Sequence, residues 1–155
     1  MMNITNVYMM NIQRFKQNSD IRFVYELRKK LNIRKNFTNS NLNTYTDHLK
    51  WYHLIFKKNK KNIFFIIRLK TLKIGYLKYD FIKNNYFISI AIKKKYQNQG
   101  LAKIALGESE KFFKKKRIFA YVFLKNKKSL SFFKSTGFKI FKTDTKYVCF
   151  EKLIK

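Results

Sequence analysis

The sequence predicts an α/β fold, a mixed and mostly antiparallel central sheet with about four helices. Three observations predict it. Short β-branched and aromatic stretches with turns between them crowd the middle of the chain, helical periodicities stand on both sides of them, and a glycine-bearing polar loop joins a strand directly to a helix. With 155 residues, 46% hydrophobic and 18% aromatic, the chain is sized for one domain spanning 1–155 and has apolar surface enough for a core.

The elements follow in order. Residues 5–14 alternate weakly and read as a first strand. Ser19-Asp20 offers a helix cap ahead of Ile21, Phe23, Val24, Leu27 and Leu31, which are spaced for one helical face. A polar stretch over 36–43 precedes a second helix over 44–58, its face marked by Tyr45, Leu49, Tyr52 and Phe56. The period then drops to two. Segments 63–69, 74–81 and 86–92 read as three consecutive antiparallel strands joined by polar turns at 70–73 and 83–85. After the Gly100 loop comes a helix over 102–116 with Ala105, Leu106, Ser109, Phe112 and Phe113 along one face. The apolar run 118–124 that follows has the composition of a buried strand. A short helix over 126–136 is stopped by Gly137, and strands over 138–143 and 147–153 close the chain.

The formal charge is +28, from 36 basic against 8 acidic residues. Such an excess points first to nucleic acid or an anionic membrane. Here it is nearly all lysine, spread evenly and accompanied by abundant Asn, Ile, Phe and Tyr, residues with A/T-rich codons, so nucleotide composition accounts for it equally well. A basic RNA- or membrane-binding module is the rival class, but no nucleic-acid motif is present, and no specific nucleic acid partner is expected. The longest apolar segment, 63–67, is strand-sized, and the N-terminus lacks a cationic stretch followed by an apolar one. No membrane insertion is expected, and the location is expected to be cytoplasmic. The single cysteine, Cys149, has no internal disulfide partner and reads as a buried thiol; no histidine near it in sequence suggests a nucleophile.

Chemistry concentrates in the stretch from Ile88 to Lys103. A strand ending in Ile90, Ala91 and Ile92 runs into Gln97, Asn98, Gln99 and Gly100, which open a helix at Leu101, Ala102 and Lys103. Successive amides at such a turn, with the positive end of the helix dipole, make a cradle for a pyrophosphate. One glycine ahead of a helix is also an ordinary turn, so the wider pattern matters. Q-x-x-G-x-A after an apolar strand resembles the acetyl-CoA signature of the GCN5-related N-acetyltransferases (GNAT). Further on, Asn126-x-x-Ser129-x-x-x-Phe133-x-x-x-Gly137-Phe138 resembles that family's helix beside the pantetheine arm.

The resemblance implies the GNAT fold, with the sheet splayed after the 88–92 strand, and acetyl-CoA as co-substrate of direct transfer to a primary amine. It implies that the backbone of Ile90, Ala91 and Ile92 pairs with pantetheine. The loop from Gln97 and the amides of Asn98 to Lys103 would hold the pyrophosphate, and Asn126, Ser129 and Phe133 would border the cofactor. No metal is implied, and a homodimer is left open. Family members often carry a tyrosine at the position of Phe133 as acid to the departing thiolate; phenylalanine has no proton to give. Tyr121 and Tyr147 are substitutes, although both also read as plain strand aromatics.

The N-terminal third holds a third feature, Leu27-Arg28, Arg34-x-x-Phe37 and His48-x-x-Trp51. His48 and Trp51 share a helical face. Read plainly, Trp51 is core, His48 its polar neighbour and the arginines solvent-facing. The pattern also resembles the subfamily that acetylates nucleotide-linked amino sugars in the pseudaminic acid pathway. That likeness implies that Arg28, Arg34, His48 and Trp51 bind the acceptor, with His48 orienting it or accepting a proton. The nearest rival is a protein N-terminal acetyltransferase of the ribosomal-protein type.

Overall fold

The computed structural model describes residues 9–16, 18–30 and 44–155. The expected strand residues 5–8, Leu31, the polar stretch 36–43, and Arg34 with Phe37 lie outside the described residues. Elements run β1 (Met10–Arg14), α1 (Asn18–Lys29), α2 (Tyr45–Lys58), β2 (Ile63–Leu69), β3 (Leu72–Ile82) and β4 (Asn85–Ile92). A single 3-10 turn, Lys94–Tyr96, leads to α3 (Leu101–Glu110), β5 (Arg117–Phe123), α4 (Lys127–Ser135), β6 (Lys139–Thr143) and β7 (Tyr147–Leu153). Apart from the 3-10 turn, this is the order read from the sequence.

The strands form one seven-stranded sheet in the order β1-β2-β3-β4-β5-β7-β6. Neighbours are antiparallel except β4 and β5, which run parallel. The β3–β4 turn places Lys83 and Asn84 in succession at φ 46° and 67°, the two left-handed residues that match a hairpin to the right-handed twist of its strands.

Alternation along the strands divides the core between two faces. On one, Val24 and Leu27 of α1 meet Phe64, Ile66, Tyr76 and Ala91. On the other, Leu101, Ala105 and Leu106 of α3 and Phe133 of α4 meet Phe65, Ile67, Leu77, Tyr79 and Ile88. At the start of α1, Asp20 is buried and binds Lys73 Nζ at 2.7 Å, while Lys16 N donates to its carboxylate at 3.2 Å. The Ser19-Asp20 pair thus lies inside the first turn, and its carboxylate ties the helix to β3. Thr44 and Asp47 complete a capping box at α2.

Two details of the third helix differ from the reading above. It ends at Glu110, not near 116, and Phe112 is 54% exposed whereas Phe113 is 1% exposed. Phe113 is drawn against the rings of Tyr79 and Tyr86, at 4.2 and 4.8 Å. Burying such a ring stabilises by about 1.5–3 kcal/mol, which favours leaving the helix early over continuing it into solvent. Among the described residues no helix is long and apolar enough to cross a membrane.

Candidate active site

The parallel pair is short. Tyr86 faces Ile118 and Phe87 faces Phe119, and there the pairing of β4 with β5 ends. Beyond it β5 continues its ladder with β7, Tyr121 facing Cys149, while β4 continues with β3 alone. The sheet therefore opens, and the β5-facing edge of Ile90, Ala91 and Ile92 is left without a strand to bond, although backbone polar groups need partners.

At the end of this opening stands α3. Its N-cap, Gly100, is left-handed at φ 73°, and Asn98 takes φ 60°. No side chain caps the helix, and Lys103 N is the first amide to bond back, to Gly100 O at 3.0 Å. The amides of Leu101 and Ala102 ahead of it have no carbonyl within the helix to meet. Two glutamines brace the loop from within, Gln97 Nε2 donating to Ile92 O and Gln99 Nε2 to Lys95 O, both at 2.9 Å. Leu101 turns its side chain into the core, so what it can offer a ligand is its backbone. This donor set fits a pyrophosphate.

Across the opening, Asn126 caps α4: its Oδ1 accepts from Ser129 N at 3.2 Å and its Nδ2 donates to Ser129 Oγ at 2.8 Å. Phe133 lies deeper. It is 4% exposed and packs on Phe138 and Phe150, with centroids 5.0 and 5.9 Å away. Tyr121 is 58% exposed, its ring stacked on Phe87 at 5.8 Å and 9°. Neighbouring Cys149 holds its phenol above the ordinary value, with burial adding to the effect. Cys149 is itself buried, and burial pushes its thiol up.

A second cluster lies on the α1–α2 face. His48 stacks on Trp51 at 5.2 Å, and the same indole is approached by Arg28 Cζ at 5.7 Å and Lys78 Nζ at 5.1 Å. Burial, then Arg28 and Lys78, push His48 down to about 4. Lys78 pairs with Asp80 at 2.6 Å and is itself held low by burial. Arg28, His48 and Trp51 are thus brought together, while Arg34 lies outside the described residues. Sequence reasoning missed Lys78 and Asp80. The available signal was a lysine and an aspartate two apart in an otherwise apolar strand, hence on one face of it. Among the described residues no three His, Cys, Asp or Glu side chains gather in a way that could hold a metal ion.

A sheet that opens between two parallel strands, with an uncapped helix N-terminus at its mouth, offers a strand edge to an extended chain and a set of amides to a pyrophosphate. The chain matches the Acetyltransferase (GNAT) family over residues 24–138. It belongs to that family and is an acyl-CoA N-acetyltransferase. No curated protein matches the sequence. Among solved structures it is similar to spermidine N-acetyltransferase from Vibrio cholerae in complex with CoA and spermine, with TM-score 0.78 at 15% identity over 95% of this chain and 96% of that one. It is similar to RimL, a ribosomal L7/L12 alpha-N-protein acetyltransferase in complex with coenzyme A (TM-score 0.76, 11% identity, 94% of each chain). It is also similar to the Campylobacter jejuni N-acetyltransferase PseH (TM-score 0.69, 16% identity, 95% of this chain and 99% of that one). At these identities the likeness is one of fold.

Proposed function

We propose that the enzyme transfers acetyl from acetyl-CoA to the amino group of a nucleotide-linked amino sugar. The observation that carries this reading is the pair of cations, Arg28 and Lys78, set over Trp51 beside a histidine held neutral. A guanidinium grips phosphate oxygens bidentately, and Lys78, its charge partly offset by Asp80, adds a second cation beside it, so the site suits a diphosphate. The same cations, in a chain of charge +28, oppose a polyamine acceptor. The fold likeness to PseH is consistent with this reading. The cytoplasm, where acetyl-CoA is available, is the expected location.

In this reading acetyl-CoA supplies a thioester carbonyl open to attack by a neutral amine. The amides of Leu101 and Ala102, beside Asn98 and Gly100, bind its pyrophosphate, while Lys103 N, expected in the same role, is turned back to Gly100 O; the β5-facing edge of Ile90, Ala91 and Ile92 takes its pantetheine arm, with Asn126 and Ser129 on the other side. His48, uncharged near pH 7, orients the acceptor by a hydrogen bond; at a pKa of about 4 it is a weak base. A sugar amine is only mildly basic and partly neutral already, so positioning matters more than base strength. Tyr121, two residues beyond the last β4–β5 pair, keeps its proton and can give it to the departing thiolate. Cys149, with its thiol held protonated, does not serve as a nucleophile.

The test offers acetyl-CoA with a panel of nucleotide-linked amino sugars, spermidine, and a peptide bearing a ribosomal-protein N-terminus. Turnover of a nucleotide sugar is expected. Turnover of the peptide alone would replace this reading with protein N-terminal acetylation.

A further inference from the structure

Where β3 passes the end of β4 it carries a bulge. Ile67 of β2 faces Gly75 and Arg68 faces Lys73, which leaves Ile74 as the extra residue. On the other side Gly75 faces Ile92 and Tyr76 faces Ala91, and Lys93 N donates to Ile74 O at 2.8 Å. Bulge and glycine therefore abut the residues whose β5-facing edge forms one wall of the opening.

There is no room for a side chain at Gly75. A Cβ there would stand 2.4 Å from the carbonyl oxygen of Ala91, 2.9 Å from Ile92 Cγ1 and 3.1 Å from Ile92 Cα. The tightest contact is with backbone. A side chain can rotate away from a methyl group, whereas a carbonyl moves only by carrying its strand with it. Restoring ordinary contact would take the end of β4 outward by about 1 Å, a misplacement that can cost on the order of a hundredfold where several contacts must form together.

We infer that Gly75 is a positioning residue for the cofactor's arm: having no side chain, it lets the end of β4 lie against β3 and so sets the edge offered by Ile90, Ala91 and Ile92. This rests on the reading that pantetheine pairs with that edge. The pyrophosphate cradle is tied to β4 by the Gln97–Ile92 bond but has a second anchor of its own, Leu101 in the core, so a change at Gly75 acts more strongly on the arm than on the pyrophosphate end.

The experiment titrates the full chain with acetyl-CoA and with 3′,5′-ADP, the nucleotide end of coenzyme A without the arm. In Gly75→Ala, acetyl-CoA affinity should fall at least about tenfold and 3′,5′-ADP affinity stay within about twofold. Equal losses for both ligands, or no loss for either, would overturn the inference. Should Gly75→Ala not fold, the substitution is repeated in an Ile92→Ala background, which removes the Cγ1 contact, and is compared with Ile92→Ala alone. A folded double variant should still lose acetyl-CoA affinity selectively. One that binds it undiminished, or that still fails to fold, shows that the glycine serves the fold and not the cofactor. A wild-type chain that binds both ligands equally tightly would instead overturn the pantetheine assignment beneath the inference.

Discussion

The imidazole of His48 lies on the indole of Trp51, centroids 5.2 Å apart and planes 28° from parallel. Tyr25 flanks the imidazole at 5.5 Å. Rings on two sides leave the imidazole only partly exposed, and Arg28 and Lys78 oppose a further positive charge, so burial and repulsion act in the same direction.

The first prediction concerns pH. His48 titrates near 4 in the folded chain against 6.5 when unperturbed, so between those values the unfolded chain binds a proton that the folded chain refuses. The stability contributed by neutral His48 is complete above about pH 6.5 and is lost as pH falls toward 4. His48→Gln, which cannot titrate, should lose less stability than wild type between pH 7 and pH 5, measured by denaturant midpoints. Equal losses would assign the effect to other groups.

Arg28→Ala and Lys78→Met should each raise the KM for the nucleotide sugar about ten- to a hundredfold, the loss of a charge-assisted phosphate contact worth about 1.5–3 kcal/mol. Acetyl-CoA affinity should stay near wild type. Lys78→Met also leaves Asp80 without its partner, so its kinetics belong beside those of Lys78→Met with Asp80→Asn. Normal acceptor kinetics in both Arg28→Ala and the double variant would remove the diphosphate assignment.

Gly100→Val should weaken acetyl-CoA binding. The residue sits at φ 73°, where a β-branched side chain costs about 1–2 kcal/mol, and its side chain would stand beside the amides that face the pyrophosphate. A folded variant with an unchanged dissociation constant would remove the cradle assignment.

Phe133→Tyr should destabilise the fold by about 1–3 kcal/mol, because its hydroxyl would be buried among Phe138 and Phe150 without a partner. It should not raise kcat. A rise in kcat at full stability would mean that the family's usual acid position remains usable here.

Much of the fold was legible in the sequence because its signals are local. Strands 63–69 and 147–153 depend on neighbours a few residues away, although the cap expected at Ser19-Asp20 falls inside a helix that already begins at Asn18. Phe112 and Phe113 were not separable in this way: adjacent identical rings differ only in what lies across from them. For the same reason Lys78 and Asp80 read as part of a strand and not as part of a site, since a period of two tells which residues share a face but not which helix covers it.

By itself the sequence determined the order of elements, the loop that turns through Gly100, the three-residue spacing of His48 and Trp51, and the absence of a hydroxyl at Phe133. Only the tertiary structure decided that Arg28, His48 and Trp51 meet Lys78, that β4 and β5 part after Phe87 and Phe119, and that Gly75 must be bare. Periodicity, capping and turn chemistry act within a turn or two of chain. Pairing and burial depend instead on which surfaces meet once segments tens of residues apart have closed on one another.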